Sequence, residues 1–257
     1  MSLVLVERAT SHVTHVTLNR PERRNALTIE LMTELIGAFD AATADETQRV
    51  LVLRGAGRAF CAGMDLNETR DASHAHESAE SVAKTLLAIS QTRLITIAAV
   101  HGAAVAGGAG IMSACDFVIA GEGTKIGYPE ARRGLVAGLV MTLLRRQLRE
   151  RDIRELLFTG ELIDAARARE IGLVNRVVAV DQIDSETQKL TSQILQGAPN
   201  ALMNAKRLLE QLWSASLKED IERALAHHMQ ARESDEAKEG VAAFLDKRPP
   251  SWASSGQ

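Results

Sequence analysis

Leu94-Ile95-Thr96-Ile97-Ala98-Ala99-Val100-His101-Gly102-Ala103-Ala104-Val105-Ala106-Gly107-Gly108-Ala109-Gly110-Ile111-Met112-Ser113-Ala114-Cys115 runs without one Asp, Glu, Lys or Arg. It is long enough to cross a bilayer. Its composition argues otherwise. Gly102, Gly107, Gly108, Gly110 and His101 interrupt it, and insertion rests mainly on large aliphatic side chains, which are few here. The stretch reads as a strand over Leu94–Val100, a turn, and a tightly packed helix over Gly107–Ser113, all buried in protein. A further strand follows over Phe117–Ala120.

Upstream, the same alternation holds. Val4–Glu7 and Val13–Leu18 are β-branched runs that suit a hairpin or neighbouring strands. Pro21–Asn25 reads as a polar loop. Thr28 is a good N-cap for a helix whose Leu31, Leu35 and Phe39 form one apolar stripe. Val50–Leu53 is a buried-type strand that ends in the turn-prone Gly55-Ala56-Gly57. Asn67–Glu80, polar and acidic with two histidines, reads as a mobile loop before a helix marked by Val82, Leu86 and Ile89. This β–α alternation predicts a layered α/β domain.

Downstream of Gly134 the strand signals fade. Helical patterns cover residues 137–148, 151–158, 164–171, 181–196, 199–213 and about 216–246. Gly172 stands where a helix C-terminal glycine belongs, and Pro199 where a first-turn proline belongs. The expected division is a core over residues 1–195 and a helical C-terminal extension over 196–248. A small polar tail, residues 249–257, is expected to be disordered.

Composition narrows the function. The chain has 257 residues, 46% of them hydrophobic and 25% charged, the balance of a globular protein. Aromatics are only 3%, too few for base-stacking platforms. Lys and Arg number 30 against 33 Asp and Glu, so the net charge is −3 and no basic block invites nucleic acid. Cys61 and Cys115 make no disulfide framework or zinc spacing. No signal peptide is evident at the start, and the expected compartment is the cytoplasm.

Common catalytic motifs fail on spacing. Gly55-Ala56-Gly57 lacks the third glycine of a dinucleotide fingerprint. Tyr128 has Arg132, not Lys, four residues on. There is no phosphate loop and no nucleophile elbow. Two glycine segments remain, Phe60-Cys61-Ala62-Gly63-Met64-Asp65-Leu66 and His101–Gly110, each following a strand. Helix N–H groups near Gly107, joined by an N–H from the other segment, can converge on one oxygen as an oxyanion hole. Glycines in a buried turn more often serve close packing, and both readings stay open at this point.

The residues Leu18-Asn19-Arg20-Pro21, Asn25-Ala26-Leu27, Gly57-Arg58-Ala59-Phe60-Cys61-Ala62-Gly63-Met64-Asp65-Leu66, Ala99-Val100-His101-Gly102, Gly107-Gly108, Cys115-Asp116, Pro129-Glu130, Thr159-Gly160 and Gly172-Leu173-Val174 together resemble the crotonase superfamily of enoyl-CoA hydratases and isomerases. So does the ending Ala243-Phe244-Leu245 with Lys247-Arg248-Pro249-Pro250. The resemblance spans nearly the whole chain. It implies a spiral of ββα units, a helical extension used for trimerisation, and a homotrimer or dimer of trimers. It also implies a coenzyme A thioester as substrate, with no separate cofactor and no metal, nucleic acid or membrane partner. The N–H groups of Met64 and Gly107 fall at the oxyanion positions. Arg24, Ala26, Leu27, Ala62, Asp65 and Leu66 fall where the family holds coenzyme A and substrate, and Asp65 and Asp116 match mainly structural positions. Glu130 matches the second catalytic glutamate. The first glutamate is missing, because Gly110 stands in its place. One carboxylate suits a proton shuttle better than the gripping of a water, which favours a Δ3–Δ2 double-bond shift over hydration. A hydratase with a single glutamate and a non-catalytic acyl-CoA binder are the alternatives.

Other residues carry less. The segment Asp71–Glu77, with His74 and His76, reads as a solvated loop beside the acyl pocket. His101 is expected in a buried hydrogen bond, and Cys61 and Cys115 as small buried side chains. Met64 and Met112 are candidates for shaping the acyl tunnel, with core packing the default for Met112. His227 and His228, on a polar helix, need no function.

Overall fold

The run Val50-Leu51-Val52-Leu53 lies inside a six-stranded sheet in the computed structural model, which describes residues 2–68 and 72–252, with the backbone alone at 72, 73 and 75. Val4–Thr10 (β1) and Val13–Leu18 (β2) pair antiparallel. Val50–Gly55 (β3), Ile95–Val100 (β4), Phe117–Gly121 (β6) and Arg176–Val178 (β9) add in parallel, in the order β1-β2-β3-β4-β6-β9. Side chains alternate across the strands. Leu51 and Leu53 join Val16, Leu18, Ala98 and Val100 in the main core. Val50 and Val52 turn the other way, onto Val13, Ile97 and Ile119, and are covered there by Ile183 and Leu190 of the helix Ile183–Leu195 (α7). Both faces are therefore buried, which is why β3 reads as a continuous apolar run.

A second, three-stranded sheet places the site. Ala103–Val105 (β5) pairs parallel with Lys125–Gly127 (β7), which pairs antiparallel with Ile163–Asp164 (β8). β8 and β9 show that short strands continue where the strand signals fade after Gly134, and β5 corrects the expectation that only a turn separates β4 from the next helix. Two or three residues are too short to display a period, so no pattern announces them.

Thr28 caps the helix Ile29–Ala44 (α1) as expected, its hydroxyl accepting from the Leu31 N–H at 3.1 Å. Asn67–Glu80 is not one loop: the helix Ala72–Gln91 (α2) begins at its middle. Residues 69–71 lie outside the described residues. Burial of Ser78, Ala79, Val82, Ala83, Leu86 and Ile89 extends the apolar stripe back through the segment that its polar outer face disguises. Gly107–Ser113 (α3) forms as expected, and Pro21–Arg23 winds into a 3-10 turn.

The remaining helices are Gly138–Gln147 (α4), Glu150–Thr159 (α5), Ala165–Glu170 (α6), Pro199–Gln211 (α8), Leu217–Arg232 (α9) and Asp235–Leu245 (α10). Gly172 follows α6 at φ +92°, and Pro199 opens α8. The expected helical set 216–246 is two helices, because Ser234 caps α10 and Ser216 with Glu219 forms a capping box on α9. Among the described residues, no helix is long and apolar enough to cross a membrane. Residues 253–257 lie outside the described residues.

Candidate active site

A cavity of about 310 Å³ gathers residues from both ends of the chain. Arg24, Ala26, Ala62, Met64, Asp65, Leu66, Gly107 and Glu130 all line it. Leu27 does not. Its side chain is fully buried beneath Gly107, and only its backbone serves the site. The Leu27 N–H donates to the Gly63 carbonyl at 2.8 Å, and its carbonyl accepts from the Asp65 N–H at 2.8 Å, bracketing Met64.

Asn25 holds the mouth. It is fully buried at φ +55°, and its amide donates to the carbonyls of Ala56, Ala59 and Phe60 at 2.9, 2.8 and 3.1 Å. Its Oδ1 accepts from the Arg20 N–H at 2.8 Å. The adjoining Arg24 carbonyl accepts from Ala62 at 3.0 Å, and the Arg20 guanidinium pairs with Asp65 at 3.1 Å. Asp65 is thereby committed to structure. Asn25→Ala strands several buried polar groups, so stability is expected to fall by about 1–3 kcal/mol or more in urea unfolding.

The two glycine segments meet. Cys61 donates to the Ala103 carbonyl at 3.0 Å and accepts from the Val105 N–H at 3.1 Å, adding a bridge beside β5. Gly63 has φ +93°, and a Cβ there would lie 2.7 Å from the Val105 carbonyl oxygen. A Cβ on Gly108 would run into the Cys61 carbonyl. Ala106, ahead of α3, takes φ +51°, an unfavourable conformation for a residue with a Cβ, while its N–H donates to Gly127 at 2.8 Å. Among the described residues, the N–H groups of Met64 and Gly107 have no acceptor. They are close: a Cβ on Gly107 would lie 4.0 Å from the Met64 nitrogen. Two unclaimed donors side by side suit an oxygen gaining negative charge.

Glu130 sits in the 3-10 turn Pro129–Arg133. Tyr128 anchors the turn from the core, its hydroxyl 2.8 Å from Ser113 Oγ. Gly134, at φ +66°, ends the turn, and α10 comes so close that a Cβ on Gly134 or Gly240 would strike the opposing backbone. Glu130 Oε2 touches neither solvent nor a hydrogen-bond partner. Burial pushes its carboxyl up to about 7, against a smaller opposing pull from Arg133. Other carboxylates in the cavity are otherwise placed: Glu22 is exposed at the mouth, and Asp65 is paired. Gly110 is buried, and a Cβ there would lie 2.7 Å from Val140 Cγ1, so its surroundings are apolar.

His76 is exposed and lies 3.1 Å from Glu80; His74 is exposed as well, and neither lines the cavity. Asp71 lies outside the described residues. His101 is half-buried, with Nε2 2.9 Å from the Gly57 carbonyl oxygen. Cys61 and Cys115 are free and buried, and burial pushes each thiol up to about 12. Met64 lines the cavity, and Met112 packs in the core. Asp116 accepts from Thr96 and Lys206, a structural role. Among the described residues, no three His, Cys, Asp or Glu gather as a metal ligand set.

His228 is the correction. It lines the cavity, only 7% exposed, with Nδ1 2.9 Å from the Val136 carbonyl oxygen and Nε2 unpartnered. Arg133, Arg232 and Phe244 line the cavity too. The signal was present in sequence: Leu217, Ile221, His228 and Arg232 follow helical spacing along one face of α9.

Residues 8–255 match the family model for enoyl-CoA hydratase/isomerase. The chain belongs to the enoyl-CoA hydratase/isomerase family. A Thermus thermophilus protein named as a candidate enoyl-CoA hydratase is 38% identical, over 96% of this chain and 99% of the relative. An enoyl-CoA isomerase/hydratase of Mycosarcoma maydis is 32% identical, over 93% and 91%. The crystal structure of an enoyl-CoA hydratase from Mycobacterium avium superposes with TM-score 0.87 at 35% identity, covering 98% of this chain and all of that one. Family membership makes this an acyl-CoA enzyme of the crotonase fold, with the family's C-terminal helices.

Proposed function

We propose that the chain shifts the double bond of a 3-enoyl-CoA to the 2-position, with Glu130 as its single acid/base. The observation that carries this reading is Glu130 itself, a cavity carboxyl that is buried and free of ion pairs, with its pKa brought near neutrality. In the proposed step, the Glu130 carboxylate takes a proton from C2, and the electrons move into a dienolate. The Met64 and Gly107 N–H groups donate to the thioester oxygen while it is negative; removing one such donor typically costs about 2.7–4 kcal/mol in the barrier. Glu130 then returns the same proton to C4, so nothing is consumed. Apolar packing around Gly110 supports an isomerase, since no second carboxylate stands there to hold a water.

The names of relatives favour a second reading, hydration through one glutamate. Ultraviolet absorbance of the conjugated 2-enoyl thioester separates the two. A rise with 3-enoyl-CoA is the expected result. A fall with 2-enoyl-CoA, without that rise, makes the enzyme a hydratase. No change with either, alongside tight acyl-CoA binding, leaves a binder.

The same reading has coenzyme A enter as part of the substrate, with no further cofactor, in a cytoplasmic enzyme; the two free thiols suit a reducing compartment. Assembly as a homotrimer or dimer of trimers is supported by exposed Leu208, Leu209, Leu212 and Trp213 at the end of α8, an apolar patch suited to a neighbouring copy.

A further inference from the structure

The wall of the cavity formed by α9 and the Glu130 turn is cationic where an acyl tunnel needs only apolar contact. Arg133 and Arg232 both line it, and among the described residues neither has an ion-pair partner. Arg232 Nη1 is shut off from solvent with no hydrogen-bond acceptor. His228 Nε2, one helical turn away, is equally buried and equally unpartnered. Arg133 is steadied by the Phe244 ring, 4.2 Å from its guanidinium carbon.

Burying a guanidinium without an anion is costly, because water is lost and nothing replaces it. Glu130 is at most a weak anion for Arg133: it attracts the guanidinium, but its Oε2 makes no hydrogen bond and burial favours its neutral form. The wall thus offers two cations without an ion pair and one free imidazole nitrogen facing the same space. A planar carboxylate matches this set, since guanidinium groups bind it with paired, charge-assisted hydrogen bonds. Phosphates of coenzyme A are a poorer match, as Arg23 and Arg24 already stand at the cavity mouth.

We infer that the acyl group of the natural substrate ends in a carboxylate, held by Arg232 and Arg133 with His228 beside them. This inference rests on the cavity being an acyl-CoA site and narrows the substrate to monothioesters of dicarboxylic acids. Ordinary unsubstituted fatty acyl-CoAs would leave both guanidinium groups bare.

Calorimetric binding to the full chain tests it with unreactive saturated probes, glutaryl-CoA and adipyl-CoA against valeryl-CoA and hexanoyl-CoA of equal chain length. At least tenfold tighter binding of one acid over its neutral counterpart of equal length is expected. In Arg232→Met that ratio should collapse to about one, and in Arg232→Lys it should recover in part, which a merely structural role would not produce. Equal binding of acid and neutral partner in the parent chain overturns the inference while leaving the acyl-CoA reading intact. A ratio unmoved in Arg232→Met overturns it as well. Binding of none of the four sinks the underlying acyl-CoA reading, and this inference with it.

Discussion

Glu130→Gln is expected to lower the rate of the proposed double-bond shift by about 10²–10⁴-fold, the usual contribution of a positioned general acid/base, while acyl-CoA still binds. The amide keeps the shape of the carboxyl and loses its proton chemistry. Two pH measurements accompany this result. In the parent enzyme kcat/KM is expected to rise with pH through about 7, because the proposed first step requires the carboxylate. Stability moves the opposite way. The folded state holds the Glu130 proton more tightly than the unfolded chain does, so its contribution is present below the ordinary glutamate range and is lost as pH rises through about 7. Thermal melting of Glu130→Gln should show a flatter pH dependence across that window. An unchanged rate in this variant sinks the mechanism.

Gly108→Ala is the second large effect, and it acts without touching a side chain at the site. Its methyl group would overlap the carbonyl of Cys61, so α3 and the Cys61–Met64 turn must move apart. Separation spreads the Gly107 and Met64 N–H groups. Loss of one well-aimed donor costs about 10²–10³ in kcat, and that is the loss expected here. The measurement is kcat alongside a melting curve. A variant that remains folded and turns over normally would mean that the two N–H groups do not act on the thioester oxygen.

Features governed by neighbours in sequence were legible from the chain alone. Thr28 as a cap, Pro199 as a first-turn residue, Gly172 after a helix and the apolar run of β3 are each local consequences of backbone chemistry. The glycine segments were legible as close approaches, and the resemblance named Met64, Gly107 and Glu130, which the fold brings to one cavity. Three kinds of feature were hidden. Strands of two or three residues, such as β5 and β8, carry no period. The early turns of α2 bury one side and present a polar face that mimics a loop. His228 belongs to the cavity only because α9 packs on α4 and its ring reaches the Val136 carbonyl, 92 residues earlier. Helical spacing alone marks His228 as inward-facing; it does not say into what.

The close approach of α10 to the Glu130 turn also has a bearing on how the molecule is made. A ribosome lays down the chain from its amino end at about 5–20 residues per second, so Glu130 emerges roughly 5–20 seconds before Gly240. Until α10 is made, the turn lacks the helix that packs against it in the folded chain, and the carboxyl lies more open to water. Without that burial its pKa is expected to lie nearer the ordinary glutamate range. On the proposed mechanism, a nascent chain lacks its tuned acid/base however well its sheets have formed, and that tuning is expected to arrive with the last helix to be synthesised.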